Sequence, residues 1–224
     1  MDQQPTPPPP PPASVTAHKR TIVDRARDLL ITPKKEWEII DKETPNIGVI
    51  LAGYVLPLLA IGALATFIGQ GLIGQGRDLL GRTNTNVTAG LVGALLFVVF
   101  TVINIFIIAA ATDALAQSFS SEKNWGKSFQ MAAYSLTAMY LGSIFLIWPP
   151  LQIVSIICSL YCVYQLYTGI PIMKKTAVDK QVAYLAVIII ITVVCIILVG
   201  IIESKIIQEI NKPKVPRLFG VIIF

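Results

Sequence analysis

The chain has 224 residues, of which 54% are hydrophobic and only 14% are charged, and its mean hydropathy is +0.68. A soluble domain carries roughly 25% charged residues, so this composition excludes a soluble enzyme. The formal net charge is +5, and every charged residue falls within segments 1–47, 69–86, 112–127, 173–181 or 203–224.

The first 20 residues are predicted to be a disordered, proline-rich tail. The run Pro7–Pro12 favours an extended polyproline II conformation. A spacer is the preferred role, and a ligand for an aromatic groove is the alternative. No cleavable signal peptide is predicted, because the segment lacks an apolar core.

Residues 21–43 are predicted to form two short amphipathic helices at the membrane interface. Thr21 and Asp24 resemble a capping box, and Thr32-Pro33 ends the first helix and starts the second. Apolar residues with Trp37 and flanking lysines suit a helix that lies among lipid headgroups. The region is interpreted either as a platform for a partner or as a plain lead-in to the first span.

Five uncharged runs are each long enough to cross a bilayer, since about 20 helical residues span its core of roughly 30 Å. These spans are predicted at about 48–68, 87–111, 128–148, 151–171 and 182–202. The predicted fold is all-α, a polytopic membrane protein with a five-helix transmembrane bundle over residues 44–204. A C-terminal tail, 205–224, follows, and its last seven apolar residues either dip into the interface or pack back on the bundle.

Pro149-Pro150 divides the third run from the fourth. Proline removes a backbone donor and disfavours helix at the residue before it. We therefore expect a tight turn between two antiparallel helices, with one long kinked helix as the alternative. Pro57 is expected to kink the first span. The spacings Ala89/Gly93 and Gly90/Ala94 permit close helix approach.

The distribution of lysine and arginine predicts the orientation. Twelve of these residues flank the spans on the N-terminal side and six on the other. By the positive-inside rule, the N-terminus is cytoplasmic and the C-terminus outside. The predicted location is a membrane, the cell membrane in a bacterium.

No catalytic, cofactor or metal site is predicted. The one histidine is His18, and the three cysteines, Cys158, Cys162 and Cys195, lie within spans without a metal-binding spacing. No charged residue lies centrally in a span, and nothing indicates nucleic acid. The strongest intramembrane polar residues are interpreted as interhelical ties, with a substrate path as the alternative; they are Asn104, Gln152 and Gln165.

The order of motifs from the lead-in to the last span resembles the Yip family of five-span membrane proteins. The resemblance rests on four elements: Leu-Leu-Ile-Thr-Pro-Lys-Lys-Glu-Trp at 29–37, Ala-Tyr-Ser-Leu at 133–136, Trp-Pro-Pro at 148–150, and Ile-Cys-Ser-Leu-Tyr-Cys-Val-Tyr at 157–164. It covers roughly residues 25–202, and its lead-in at 29–37 is similar to the short form seen in bacterial members, where a proline precedes a tryptophan. It implies a cytoplasmic N-terminus, a compact bundle and no catalysis, with eukaryotic members linked to trafficking and membrane shaping through partners. The eukaryotic D-L-Y-G-P element has no counterpart here.

The predicted function is a non-enzymatic scaffold that acts through a membrane or cytoplasmic protein, with a homo-oligomer also possible. The contact region would combine residues 21–43 with the loop 173–181. Candidate contacts with a partner or with the lipid bilayer are Arg25, Lys34, Lys35, Trp37, Lys174 and Lys175. The alternative is a small permease or an accessory subunit of a transport complex.

Overall fold

A computed structural model describes residues 20–74 and 85–211. The predicted proline-rich tail before Arg20 and the C-terminal apolar heptapeptide lie outside the described residues. Within these ranges all regular structure is helical.

Two short helices come first, α1 (Ile22–Ile31) and α2 (Pro33–Asp41). Five helical segments long and apolar enough to cross a membrane then follow: span 1 (Ile47–Ile73), span 2 (Val87–Leu115), span 3 (Trp125–Ile147), span 4 (Gln152–Met173) and span 5 (Val178–Ile210). They coincide with the five predicted spans, so the predicted all-α, five-span fold is confirmed.

Spans 1 and 3 are composite. Span 1 contains α3 (Ile47–Ile50), a π-helical turn (Leu51–Val55), α4 (Leu56–Thr66) and a second π-helical segment (Phe67–Ile73). Span 3 contains α6 (Trp125–Ser135), α7 (Thr137–Gly142) and a 3-10 segment (Ser143–Ile147). The remaining spans are α5 (Val87–Leu115), α8 (Gln152–Met173) and α9 (Val178–Asn211), and 3-10 turns lie at Gln117–Phe119 and Pro149–Leu151.

Asparagine caps the first helix of three spans. The side chains of Asn46, Asn86 and Asn124 accept hydrogen bonds from backbone N–H groups three residues onward, at 3.0–3.1 Å. Such a cap satisfies one of the donors that every helix start leaves open. In these three spans, the asparagine that precedes the apolar run marks where the helix begins.

Proline accounts for the breaks that the sequence predicts. Spans 3 and 4 are separate helices on either side of Trp148-Pro149-Pro150, and they pack together, with Ser155 Oγ donating to the carbonyl of Gly142 at 2.7 Å. In span 1, the π-helical turn ends at Val55, two residues before Pro57, which has no N–H to donate to the preceding turn.

Span 3 is the centre of the bundle. Its residues from Ser128 to Ala138 are all buried, because spans 1, 2 and 4 pack around it. The helix of span 3 is interrupted at Leu136, between α6 and α7. Hydroxyl groups form hydrogen bonds there: Thr137 Oγ1 donates to the carbonyl of Tyr134 at 2.6 Å and is hydrogen-bonded to Tyr54 Oη at 2.8 Å. The core position of this helix explains how it tolerates so many polar residues.

Candidate functional site

The loops after spans 2 and 4 are bound to each other. The N–H of Glu122 donates to the carbonyl of Lys174 at 2.8 Å, and Lys175 forms an ion pair with Glu122 at 3.2 Å. The hydroxyls of Ser121 and Thr176 are hydrogen-bonded at 2.7 Å. These contacts place the two loops side by side at one end of the bundle.

The N-terminal segment reaches the same end. Lys127, at the start of span 3, forms an ion pair with Asp41 at the end of α2. A Cβ on Gly126 would lie 2.6 Å from the Cβ of Pro45, so the segment passes directly over this helix start. We call the surface made by residues 41–46, 116–127 and 174–181 the ionic face.

A fully buried lysine supports the ionic face from beneath. The Lys174 ammonium donates to Ser128 Oγ at 2.7 Å and lies 3.7 Å from Asp113, to which Ser128 Oγ also donates at 3.1 Å. Burial lowers the pKa of Lys174, and the carboxylate of Asp113 partly opposes that shift. The Lys174 side chain is fully buried. Its contacts with Asp113 and Ser128 tie spans 2 and 3 to the loop that joins spans 4 and 5.

α1 and α2 form a second charged cluster, which we call the hairpin (Ile22–Asp41). Arg20 pairs with Glu36 and, at 3.1 Å, with Asp28. Arg25 pairs with Glu43, lies 3.9 Å from Glu36 and is stacked 5.0 Å from the centre of the Tyr134 ring. Burial raises the pKa of the Glu36 carboxyl, against the opposing charges of Arg25 and Arg20.

The hairpin is packed alongside span 4. Gln165 Nε2 donates to the carbonyl of Leu29 at 2.6 Å, and Tyr161 Oη donates to that of Leu30 at 2.7 Å. Further along span 4, the indole of Trp37 lies 3.0 Å from the place where a Cβ on Gly169 would be. The missing side chain at Gly169 thus makes room for Trp37, which is completely buried.

The structure divides the six candidate contact residues in half. Arg25, Trp37 and Lys174 are buried and hold the fold together, whereas the other three are exposed: Lys34, Lys35 and Lys175. The sequence does not distinguish the two groups, because a cation that has a counter-charge nearby, or a tryptophan, can pack inside the protein as well as lie at the interface. The sequence pattern does not identify Glu36, Asp113 and Ser128 as the partners of Arg25 and Lys174, because residues far apart in sequence carry no pairing signal.

The three predicted polar ties do not meet. Gln165 binds the hairpin, as above, while Gln152 is the first residue of α8 and lies half-buried. The two are thirteen residues apart on one helix, about 20 Å at 1.5 Å per residue. Asn104 lies in span 2, and its Oδ1 is buried without a hydrogen-bond partner within the described part of the chain.

Comparison with known proteins identifies a family. A family model described as Yip1 domain matches residues 27–202, from the middle of α1 into span 5. No curated protein and no solved structure matches the chain. In the described ranges, no group of three or more His, Cys, Asp or Glu side chains is placed to hold a metal ion.

Proposed function

Because this chain belongs to the Yip family and is a multi-pass integral membrane protein, we propose that it is a non-enzymatic scaffold that organises membrane or trafficking components. It acts through a protein partner that docks on the ionic face. The N-terminus and the ionic face lie in the cytoplasm, and the far end of span 5 lies outside. The positive-inside count supports this orientation.

The observation that carries the proposal is the joining of three separate chain segments into one polar surface. The contacts through Lys127, Glu122 and Lys174 hold this surface in one arrangement. A surface already ordered in the free protein loses little conformational entropy when a partner binds. Exposed lysines border it, at Lys42, Lys123 and Lys175, which suits a partner with an acidic contact surface.

Site-specific photo-crosslinking tests the proposal. A photoreactive residue at the exposed Ser118, in native membranes, should give a discrete protein adduct. Reversal of charge on the ionic face, Lys42→Glu with Lys123→Glu, should reduce that adduct at least ten-fold. The matched control is Lys205→Glu, an exposed lysine near the opposite end of span 5, and it should leave the adduct unchanged.

An adduct that ignores the ionic-face reversal, or that responds equally to Lys205→Glu, would show that the partner binds elsewhere. Gln152 and Gln165 lie about 20 Å apart along α8, so these two side chains do not form one site. No feature of the described residues favours a permease over a scaffold.

A further inference from the structure

The hairpin descends into the level of the spans and does not lie flat on them. Its last residue, Asp41, is paired with Lys127 at the ionic face. α2 runs from Pro33 to Asp41, so Pro33 lies about 12 Å along the helix from that level. This is about two fifths of a hydrocarbon core of about 30 Å.

The contacts with span 4 show that this descent follows the bundle axis. Leu30 meets Tyr161 and Trp37 meets Gly169. Leu30 lies near the end of α1 and Trp37 lies in the middle of α2, so these two contacts bracket the turn and both fall on one stretch of α8. The turn between α1 and α2 consequently lies level with the stretch between Tyr161 and Gln165, well inside span 4.

Charged side chains lie on the outside of this descending hairpin. Lys34 and Lys35 follow the turn directly, Glu38 lies one helical turn further on, and Arg27 is on the outer side of α1; all four are exposed. Neither Lys34 nor Lys35 has an ion-pair partner among residues 20–74 and 85–211. Acyl chains cannot solvate these charges, and snorkelling does not suit side chains that start so far from the interface.

We propose that the outer side of the hairpin (Arg27, Lys34, Lys35 and Glu38) holds open a hydrated notch in the adjacent leaflet and binds anionic phospholipid headgroups there. The phosphates descend to pair with Lys34 and Lys35. The net charge of these four side chains is positive, which selects an anionic headgroup. This lipid site lies apart from the ionic face, so its test does not depend on whether a protein partner binds there.

Spin labels on single cysteines test the notch. In a background with Cys158→Ala, Cys162→Ala and Cys195→Ala, a nitroxide is attached at Lys35→Cys and the protein is placed in vesicles of phosphatidylcholine and phosphatidylglycerol. The matched control is Ile190→Cys, which is 62% exposed on span 5 and lies about 9 Å from Tyr184 along the helix. Tyr184 itself bonds the carbonyl of Thr112 at the level of the ionic face.

The nitroxide at position 35 should collide with a water-soluble nickel chelate several-fold more often than the one at position 190. The label at position 35 should also enhance the phosphorus-31 relaxation of the phospholipid severalfold more than the label at position 190 does. Its enhancement should equal that of a label at Lys123→Cys on the exposed loop. Replacement of Lys34 by Gln should reduce the enhancement from phosphatidylglycerol more than that from phosphatidylcholine.

Equal nickel accessibility at positions 35 and 190 would overturn the notch, whether acyl chains or a second copy of the chain covers the hairpin. A high nickel collision rate at position 35 without enhanced phosphorus-31 relaxation would contradict the binding of headgroups, because the hairpin would then line a water-filled pocket. An enhancement that does not depend on Lys34 would overturn the selection for anionic lipid.

Discussion

Arg25 and Glu36 show how a membrane protein buries charge near its surface. Removing a lone charge from water costs far more than most contacts return, unless partners and hydrogen bonds surround it. Here Arg25 has Glu36, Glu43 and the Tyr134 ring, and Glu36 also has Arg20. The four charges neutralise one another and leave the hairpin with specific rather than merely apolar contacts.

Replacement of Arg25 by Gln should loosen the hairpin. It leaves Glu36 and Glu43 with less compensation, and breaking a buried pair costs about 3–5 kcal/mol. The matched control is Arg27→Gln on the same helix, where the side chain is exposed and the expected change is within about 0.5 kcal/mol. Iodide quenching of Trp37, with Trp125 and Trp148 replaced by Phe, measures the effect; equal quenching in both variants would contradict it.

Glu36 makes the docking of the hairpin dependent on pH. Burial raises the pKa of the docked carboxyl above that of an exposed glutamate, about 4.3. The docked state therefore binds the proton more tightly than the undocked state. This contribution to docking is fully present below about pH 4.3 and is lost as the pH rises through the raised pKa.

With Trp125 and Trp148 replaced by Phe, quenching of Trp37 should consequently increase as the pH rises from about 4 towards neutrality. Glu36→Gln should abolish that slope, because amide replaces carboxyl at the same size. A slope of the opposite sign, or one that survives in Glu36→Gln, would contradict the role given to this group.

Elements differ in how far the sequence predicts them. The five spans follow from uncharged runs and from the asparagines and prolines at their ends, all of which are local features. The insertion of the hairpin does not, because it depends on Arg25 finding Tyr134 and on Gly169 leaving room for Trp37. Those pairs are more than a hundred residues apart, and each member alone is typical of an interfacial helix.

Packing of α2 on span 4 should depend on the absence of a side chain at Gly169. A Cβ there would approach the Trp37 indole at 3.0–3.3 Å, so Gly169→Val forces the helices apart, and overpacking of this kind costs about 1–3 kcal/mol. Gly200→Val is the matched control, since nothing lies within 4 Å of a Cβ on Gly200. Thermal unfolding in detergent should fall for the first variant only; equal midpoints would contradict the packing.

Spans 1 and 2 should depend in the same way on Gly90. A Cβ at this position would lie 2.5 Å from the Cα of Gly71, and the backbone has no rotamer with which to yield. Close approach of backbones is a main source of helix association in lipid. Gly90→Val should therefore lower the unfolding midpoint by several degrees, whereas Gly53→Val, with open space around it, should not.

Charge in the described residues is concentrated at the ionic face, in and beside the hairpin, and near the far end of span 5 at Glu203, Lys205 and Glu209. Most of the outward surface of the spans is apolar and suits lipid, whereas the ionic face gathers three segments that are far apart in sequence. Five crossings put the ionic face and the far end of span 5 on opposite sides of the bilayer. The match to the Yip1 domain extends over residues 27–202. The proposed docking of a cytoplasmic partner requires that the ionic face point inward.

Accessibility of single cysteines in intact cells tests this arrangement most directly. With the three native cysteines replaced, Lys123→Cys and Lys205→Cys are each treated with a membrane-impermeant thiol reagent before and after permeabilisation. We expect Lys205→Cys to react in intact cells and Lys123→Cys to react only after permeabilisation. Reaction of Lys123→Cys in intact cells would place the ionic face outside, and reaction of both positions from one side would contradict five crossings.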